Sequence, residues 1–221
     1  MTYIIFAPAI IAAYLLGSIP FGLIITRAHG KDLRTIGSGN IGATNVTRAL
    51  GKKWGYFCFA LDVLKGVVPT LATMLLMKNY YTQTNGHSVI LLWLWLAVGC
   101  AAILGHIFPI YVKFKGGKGV ATSFGVALGI CPYYTLCAAV AIIVWVVVVL
   151  IWRYVSLASM VASVVFPVVL VTAIAVKANW EFANLWPLLI ISTLIPVLVI
   201  LRHQENIKRL IAGTESKVLS K

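Results

Sequence analysis

Three polar, cationic stretches interrupt an otherwise apolar chain. They are Gly37-Ser38-Gly39-Asn40-Ile41-Gly42-Ala43-Thr44-Asn45 with Arg48, Phe114-Lys115-Gly116-Gly117-Lys118-Gly119, and Arg202-His203-Gln204-Glu205-Asn206-Ile207-Lys208-Arg209. Glycine lets backbone N–H groups close around an anion, and lysine and arginine supply the balancing charge. Each stretch adjoins a hydrophobic segment long enough to cross a bilayer. The pattern points to a site for phosphorylated, lipid-linked molecules at a membrane surface.

In the first stretch, Gly37 to Gly42 formally matches G-x-G-x-x-G. A dinucleotide fingerprint needs a preceding strand within a βαβ unit, and here an apolar helix precedes it. A tight loop entering a short helix fits better, with Asn40 as its cap and Gly51 as its end. On that helix Thr44 and Arg48 are four apart and Asn45 and Arg48 three apart, so they share a face. Polar side chains beside a helix amino end make an anion site. The alternative is a surface amphipathic helix whose Arg48 meets lipid headgroups.

The second stretch lacks the G-x-x-x-x-G-K-[ST] of a nucleotide-binding loop, because Val112 stands five residues before Gly117 and Gly119 follows Lys118. ATP hydrolysis is not expected. Glycine donors ahead of a helix, flanked by Lys115 and Lys118, still favour phosphate binding by Gly116, Gly117, Lys118 and Gly119. In the third stretch His203 and Asn206 share a face, an arrangement that a plain positive stop-transfer tail would not require. Ser156, after Arg153, adds a hydroxyl at the same membrane face. Asp62 and Lys65 lie three apart inside a hydrophobic segment. Either they form a structural ion pair, or Lys65 helps hold a phosphate that Asp62 orients.

The four cysteines form no C-x-x-C pair and the four histidines no H-E-x-x-H, so no metal site and no cofactor are expected.

The elements that must position these residues follow from composition. The 221 residues are 61% hydrophobic and 10% charged, with mean hydropathy +0.99. Soluble domains carry about 25% charged residues, so the chain reads as an all-α polytopic membrane protein forming a single domain over 1–221. The net charge of +13 reflects cationic cytoplasmic loops, and nucleic acid is not an expected partner. Seven spans are expected: Tyr3–Ile25, Trp54–Met77, Ser88–Gly105, a short Val120–Ile130, Tyr133–Trp152, Ser156–Val176 and Leu185–Leu201. Short cytoplasmic interfacial helices and glycine-rich loops join them. Of the cations outside the spans, only Lys78 and Lys177 fall on external turns, which places the amino terminus outside and the carboxy terminus in the cytoplasm. All three polar stretches then share the cytoplasmic side, where one common site is expected.

Taken together, the stretches resemble the bacterial acyl-phosphate:glycerol-3-phosphate acyltransferase family (PlsY). The resemblance runs through Gly17-Ser18-Ile19-Pro20-Phe21-Gly22, Gly37–Asn45 with Arg48, Leu61-Asp62-Val63-Leu64-Lys65-Gly66, Gly105-His106-Ile107-Phe108-Pro109, Phe114–Thr122 and Arg202–Ile207. It implies a bacterial inner-membrane enzyme that transfers a fatty acyl group from acyl phosphate to the sn-1 hydroxyl of glycerol 3-phosphate. The products are lysophosphatidic acid and phosphate, and the partners are membrane lipids and an enzyme that makes acyl phosphate. It further implies that Ser38 and Arg48 match the essential residues of the first motif. Gly116 to Gly119 match the glycerol-phosphate loop, His203 and Asn206 an active-site pair, and Glu205 a structural acid.

The chemistry agrees with that expectation. Two phosphate-bearing substrates need a strongly cationic site, and a good leaving group makes a protein nucleophile unnecessary. The H-x-x-x-x-D of many glycerolipid acyltransferases is absent: Arg34, Leu92, Tyr111 and Lys208 occupy the fifth positions after the histidines. A transporter of an anionic phosphorylated metabolite is the rival reading, but it would need a polar path to an external side that is sparse in charge. A structural binder of anionic headgroups would not need Ser38, Asn45, His203 and Asn206.

Overall fold

The computed structural model describes residue 4 and residues 6–81 and 89–218, with residues 78–81 by backbone alone. The Tyr3 and Ser88 limits of two expected spans, most of the expected external turn at Lys78–Ser88, and Lys221 lie outside the described residues. Ten α-helices and no strand occur among the described residues. They are α1 (Phe6–Gly17), α2 (Phe21–Ala28), α3 (Ala43–Leu50), α4 (Lys52–Tyr81), α5 (Val89–Ile107), α6 (Val120–Gly129), α7 (Thr135–Trp152), α8 (Val155–Val176), α9 (Phe182–Leu201) and α10 (Gln204–Ile211).

Among the described residues, six segments are long and apolar enough to cross a membrane: Phe6–Ala28, Lys52–Met77, Val89–Val112, Thr135–Trp152, Val155–Val176 and Phe182–Leu201. They correspond to six of the seven expected spans. The remaining one is α6, whose 10 residues rise only about 15 Å, roughly half the thickness of a hydrocarbon core. The first span also differs from expectation, because it is two helices rather than one. Pro20 has no N–H and disfavours helical geometry at the residue before it, so the chain opens at Ser18-Ile19-Pro20 and restarts as α2.

The chain comprises two compact units, Met1–Gly86 with Trp93–Ile130 and His87–Leu92 with Cys131–Lys221. In the first unit, α4 and α6 touch backbone to backbone. A side chain at Gly66 would strike the Thr122 carbonyl, and one at Gly125 the Val63 carbonyl. Small residues permit such close approach where lipid provides no hydrophobic drive between helices. The indole of Trp95 on α5 donates to the Thr70 carbonyl of α4 at 2.8 Å. Beneath the first polar loop, Leu23, Ile25, Leu33, Ile41, Val46, Ala49 and Cys58 form a buried apolar cluster that seats α3 against α4. In the second unit, α7, α8 and α9 pack in sequence, and the Tyr134 hydroxyl donates to the Leu188 carbonyl.

Candidate functional site

In the first unit, the loop before α3 is held by Asn45. This side chain is buried, and all its polar atoms face backbone. Its Oδ1 accepts from the Ser38 N–H at 3.2 Å, and its Nδ2 donates to the carbonyls of Leu33 and Ile36 at 3.1 and 2.8 Å. Asn45, expected to bind substrate, here has its amide engaged in shaping the loop that presents Ser38. Gly37 and Gly39 flank the exposed Ser38 with φ of 57° and 67°, a left-handed conformation that side chains disfavour. A Cβ at Gly37 would lie 3.3 Å from Arg48 Cδ, so the arginine stem runs beside the serine loop while its head is exposed. Thr44 is half-buried on the first turn of α3. Gly42, not Asn40, occupies the cap position, and Asn40 instead accepts the Gly42 N–H at 2.9 Å. Gly51 ends the helix as expected. Asp32 accepts both the backbone N–H and the guanidinium of Arg34, and hydrogen bonding to that side chain lowers its pKa to about 2.

The second polar loop begins with two residues in the left-handed region, Lys113 and Phe114, at φ of 55° and 60°. Lys115 is exposed and Lys118 half-buried. Gly119 caps α6 at φ 85°, where glycine is the residue of choice. Gly117 departs from the expected role of a bare donor. Its N–H is committed to the His106 carbonyl at 3.1 Å. It is glycine for reasons of space, since a Cβ there would fall on the His106 ring.

Asp62 and Lys65 form the ion pair of the structural alternative. Both side chains are buried, with Nζ–Oδ1 2.9 Å apart, and Lys65 also donates to the Ile19 carbonyl at 3.1 Å. That carbonyl lies in the opening between α1 and α2. Lys65, expected as a phosphate ligand, thus serves a broken helix and a carboxylate in this structure.

In the second unit, the carboxylate of Glu215 gathers the polar residues. Its Oε1 accepts from Ser156 Oγ at 2.8 Å and Asn206 Nδ2 at 2.6 Å, and its Oε2 from Arg209 Nε at 2.7 Å. Ser156, expected to bind substrate, has its hydroxyl engaged with Glu215. The turn after Gly213 brings Glu215 back to α10, with the Thr214 and Glu215 N–H groups both donating to the Arg209 carbonyl. Glu205 is the acid that the resemblance makes structural. It is exposed and pairs with Lys208 at 2.8 Å, its hydrogen bond to that lysine lowering its pKa. Sequence reasoning missed Glu215, although it is one of only five acidic residues in the chain and sits in a basic tail. His203 is 2% exposed, and its Nδ1 donates to the Val199 carbonyl at 2.7 Å. A carbonyl cannot donate, so the proton sits on Nδ1 and the neutral ring has Nε2 as its basic atom. Among the described residues, no three histidine, cysteine or carboxylate side chains converge as metal ligands.

Six apolar segments of spanning length, together with cation-bearing polar loops at helix ends, define a multi-pass integral membrane protein. The glycerol-3-phosphate acyltransferase family model matches residues 7–213. The chain is 46% identical to the glycerol-3-phosphate acyltransferase of Geotalea daltonii, covering 94% of each, and 42% identical to that of Aquifex aeolicus, covering 94% of this chain and 96% of the relative. It superposes with a TM-score of 0.80 and 41% identity on a crystal structure of PlsY, an integral membrane glycerol 3-phosphate acyltransferase, in its glycerol 3-phosphate form. That match covers 96% of this chain and 95% of the other. The chain belongs to the glycerol-3-phosphate acyltransferase family.

Proposed function

We propose that this protein, as a single acyltransferase domain over 1–221, transfers a fatty acyl group from acyl phosphate to the sn-1 hydroxyl of glycerol 3-phosphate, releasing lysophosphatidic acid and inorganic phosphate. The observation that carries the reading is the exposed Ser38 held between two left-handed glycines with the Arg48 stem alongside, complemented within the same unit by Lys115 and Lys118. These groups suit two phosphate-bearing substrates. The glycerol hydroxyl oxygen attacks the acyl carbonyl carbon, the bond from that carbon to the phosphate oxygen breaks, and phosphate leaves with the electron pair. The hydroxyl proton goes to the departing phosphate or to His203 Nε2. Arg48 and Ser38 stabilise developing negative charge, with Thr44 beside them, and Lys118, Lys115 and the Gly116–Gly119 loop capture glycerol 3-phosphate. Asn206 orients the reacting groups from the third stretch.

An amino terminus outside and a carboxy terminus in the cytoplasm need an odd number of crossings, so this orientation counts the short α6 as a seventh beside the six long segments; the distribution of lysine and arginine supports it. Because acyl phosphate is reactive, a partner enzyme supplies it. Incubating the purified protein with glycerol 3-phosphate and either acyl phosphate or acyl-coenzyme A tests the donor. Lysophosphatidic acid from acyl phosphate is expected, and product from acyl-coenzyme A alone would overturn the reading. Positional analysis of the product checks the sn-1 assignment.

A further inference from the structure

His106 stands at the end of α5, buried to 6% exposure. One side of its ring faces the membrane-embedded ion pair, with Nδ1 3.7 Å from Asp62 Oδ1. The other side faces the 114–119 loop. A Cβ added at Gly117 would meet Nε2, Cε1 and Cδ2 of this ring as its three nearest neighbours. The His106 carbonyl accepts the Gly117 N–H, and a Cβ at Gly116 would strike that same carbonyl. Beyond the loop, the Thr122 hydroxyl donates to the Asp62 carbonyl at 3.0 Å. Asp62 is thus tied to both edges of the loop, through the His106 ring before it and through α6 after it.

We infer that His106 is a positioning residue for the glycine loop: its imidazole, braced by the Asp62–Lys65 pair, fixes Gly117 and thereby the aperture through which Lys118 and its neighbours take up the glycerol 3-phosphate phosphate group. The inference rests on the proposed role of that loop. A ring free to swing would yield to a methyl group at position 117 at little cost. A braced ring does not, so the two positions are energetically coupled.

The test is steady-state kinetics on the purified full chain carrying His106→Ala, Gly117→Ala or both, with varied glycerol 3-phosphate and varied acyl phosphate. Each single variant should raise the KM for glycerol 3-phosphate by about tenfold, with kcat within about threefold and the donor KM unchanged, as expected when binding geometry rather than chemistry is lost. The double variant should be no worse than the worse single one, because removal of the ring makes room for the methyl group. Effects that multiply in the double variant, a loss confined to kcat, or an unchanged KM in His106→Ala would each overturn the inference. If His106→Ala does not fold, His106→Gln serves in its place. Glutamine keeps bulk beside Gly117 but loses the Nδ1 face toward Asp62, so it should raise the same KM, and a wild-type KM would overturn the inference. Absence of product from the wild type would overturn the proposed function itself, whereas wild-type turnover with unchanged variant KM overturns the positioning role alone.

Discussion

Asn206 donates to Glu215 at 2.6 Å, across nine residues of chain that include the turn at Gly213. The same carboxylate holds Ser156 and Arg209, so its removal strands three donors at once. Glu215→Ala is expected to destabilise the protein by about 1–3 kcal/mol and to lower kcat through misplacement of Asn206, whereas Glu205→Ala leaves both near wild type. Thermal melts in detergent alongside turnover check this, and equal effects at the two positions would refute it. Burial acts to raise the Glu215 pKa, but hydrogen bonds from Arg209, Asn206 and Ser156 outweigh it and hold the group below the usual glutamate range. A depressed folded pKa stabilises above the unfolded value and ceases to do so as pH falls through the folded one. The melting difference between wild type and Glu215→Gln is therefore expected to be full at neutral pH. It should shrink as pH drops below about 4.3, the ordinary glutamate value.

Asn45→Asp is expected to be at least as damaging as Asn45→Ala. Aspartate keeps the acceptor for Ser38 N–H but sets a carboxylate against the Leu33 and Ile36 carbonyls, and unsatisfied buried groups cost about 1–3 kcal/mol each. A fall in kcat/KM with wild-type expression is the readout. Aspartate behaving like wild type would show that Asn45 does not shape the loop through its amide.

Lys65→Met should be poorly expressed or strongly destabilised, since a buried pair broken on one side costs about 3–5 kcal/mol. Asp62→Asn with Lys65→Met should recover part of that stability. If the double variant also keeps its affinity for glycerol 3-phosphate, Lys65 is a strut. Restored stability with lost affinity would return it to the phosphate site.

Lys118→Ala is expected to raise the KM for glycerol 3-phosphate more than it lowers kcat, because phosphate capture acts as uniform binding. A large fall in kcat at constant KM would assign the residue to chemistry instead.

His203→Asn retains a donor near the Val199 carbonyl but lacks Nε2. If that nitrogen takes the proton, the variant should lose about 10²-fold in kcat, as should His203→Ala. No acyl group should be found on Ser38 when wild-type protein is quenched with labelled acyl phosphate and weighed intact. An acyl-Ser38 adduct chased by glycerol 3-phosphate would establish a two-step route.

Much of the frame was legible from hydropathy, because a span announces itself by about 20 apolar residues in a row. The limits of α7, α8 and α9 fall within three residues of those expected. Local signals also carried, as with Gly51 ending α3. Pro20 did not announce the opening in the first span, because apolar residues continue on both sides of it. The roles of Glu205 and Glu215 were hidden for a different reason. An acid's partners are set by tertiary return of the chain, and the hydroxyl that meets Glu215 is 59 positions away. Likewise Asn45 and Gly117 read as ligands in sequence because their types suit an anion. Only coordinates reveal that their polar groups already serve Ile36 and His106.

The opening at Ile19 has a consequence for how the first two spans sit in lipid. The carbonyl in the opened first span finds no water in hydrocarbon; besides the Phe21 N–H, it is met by Lys65, 46 residues later on α4. Lys65 is itself costly in lipid until Asp62 neutralises it. Each span therefore carries a polar group that the other relieves, and packing α4 against the first span lowers the cost of both in lipid.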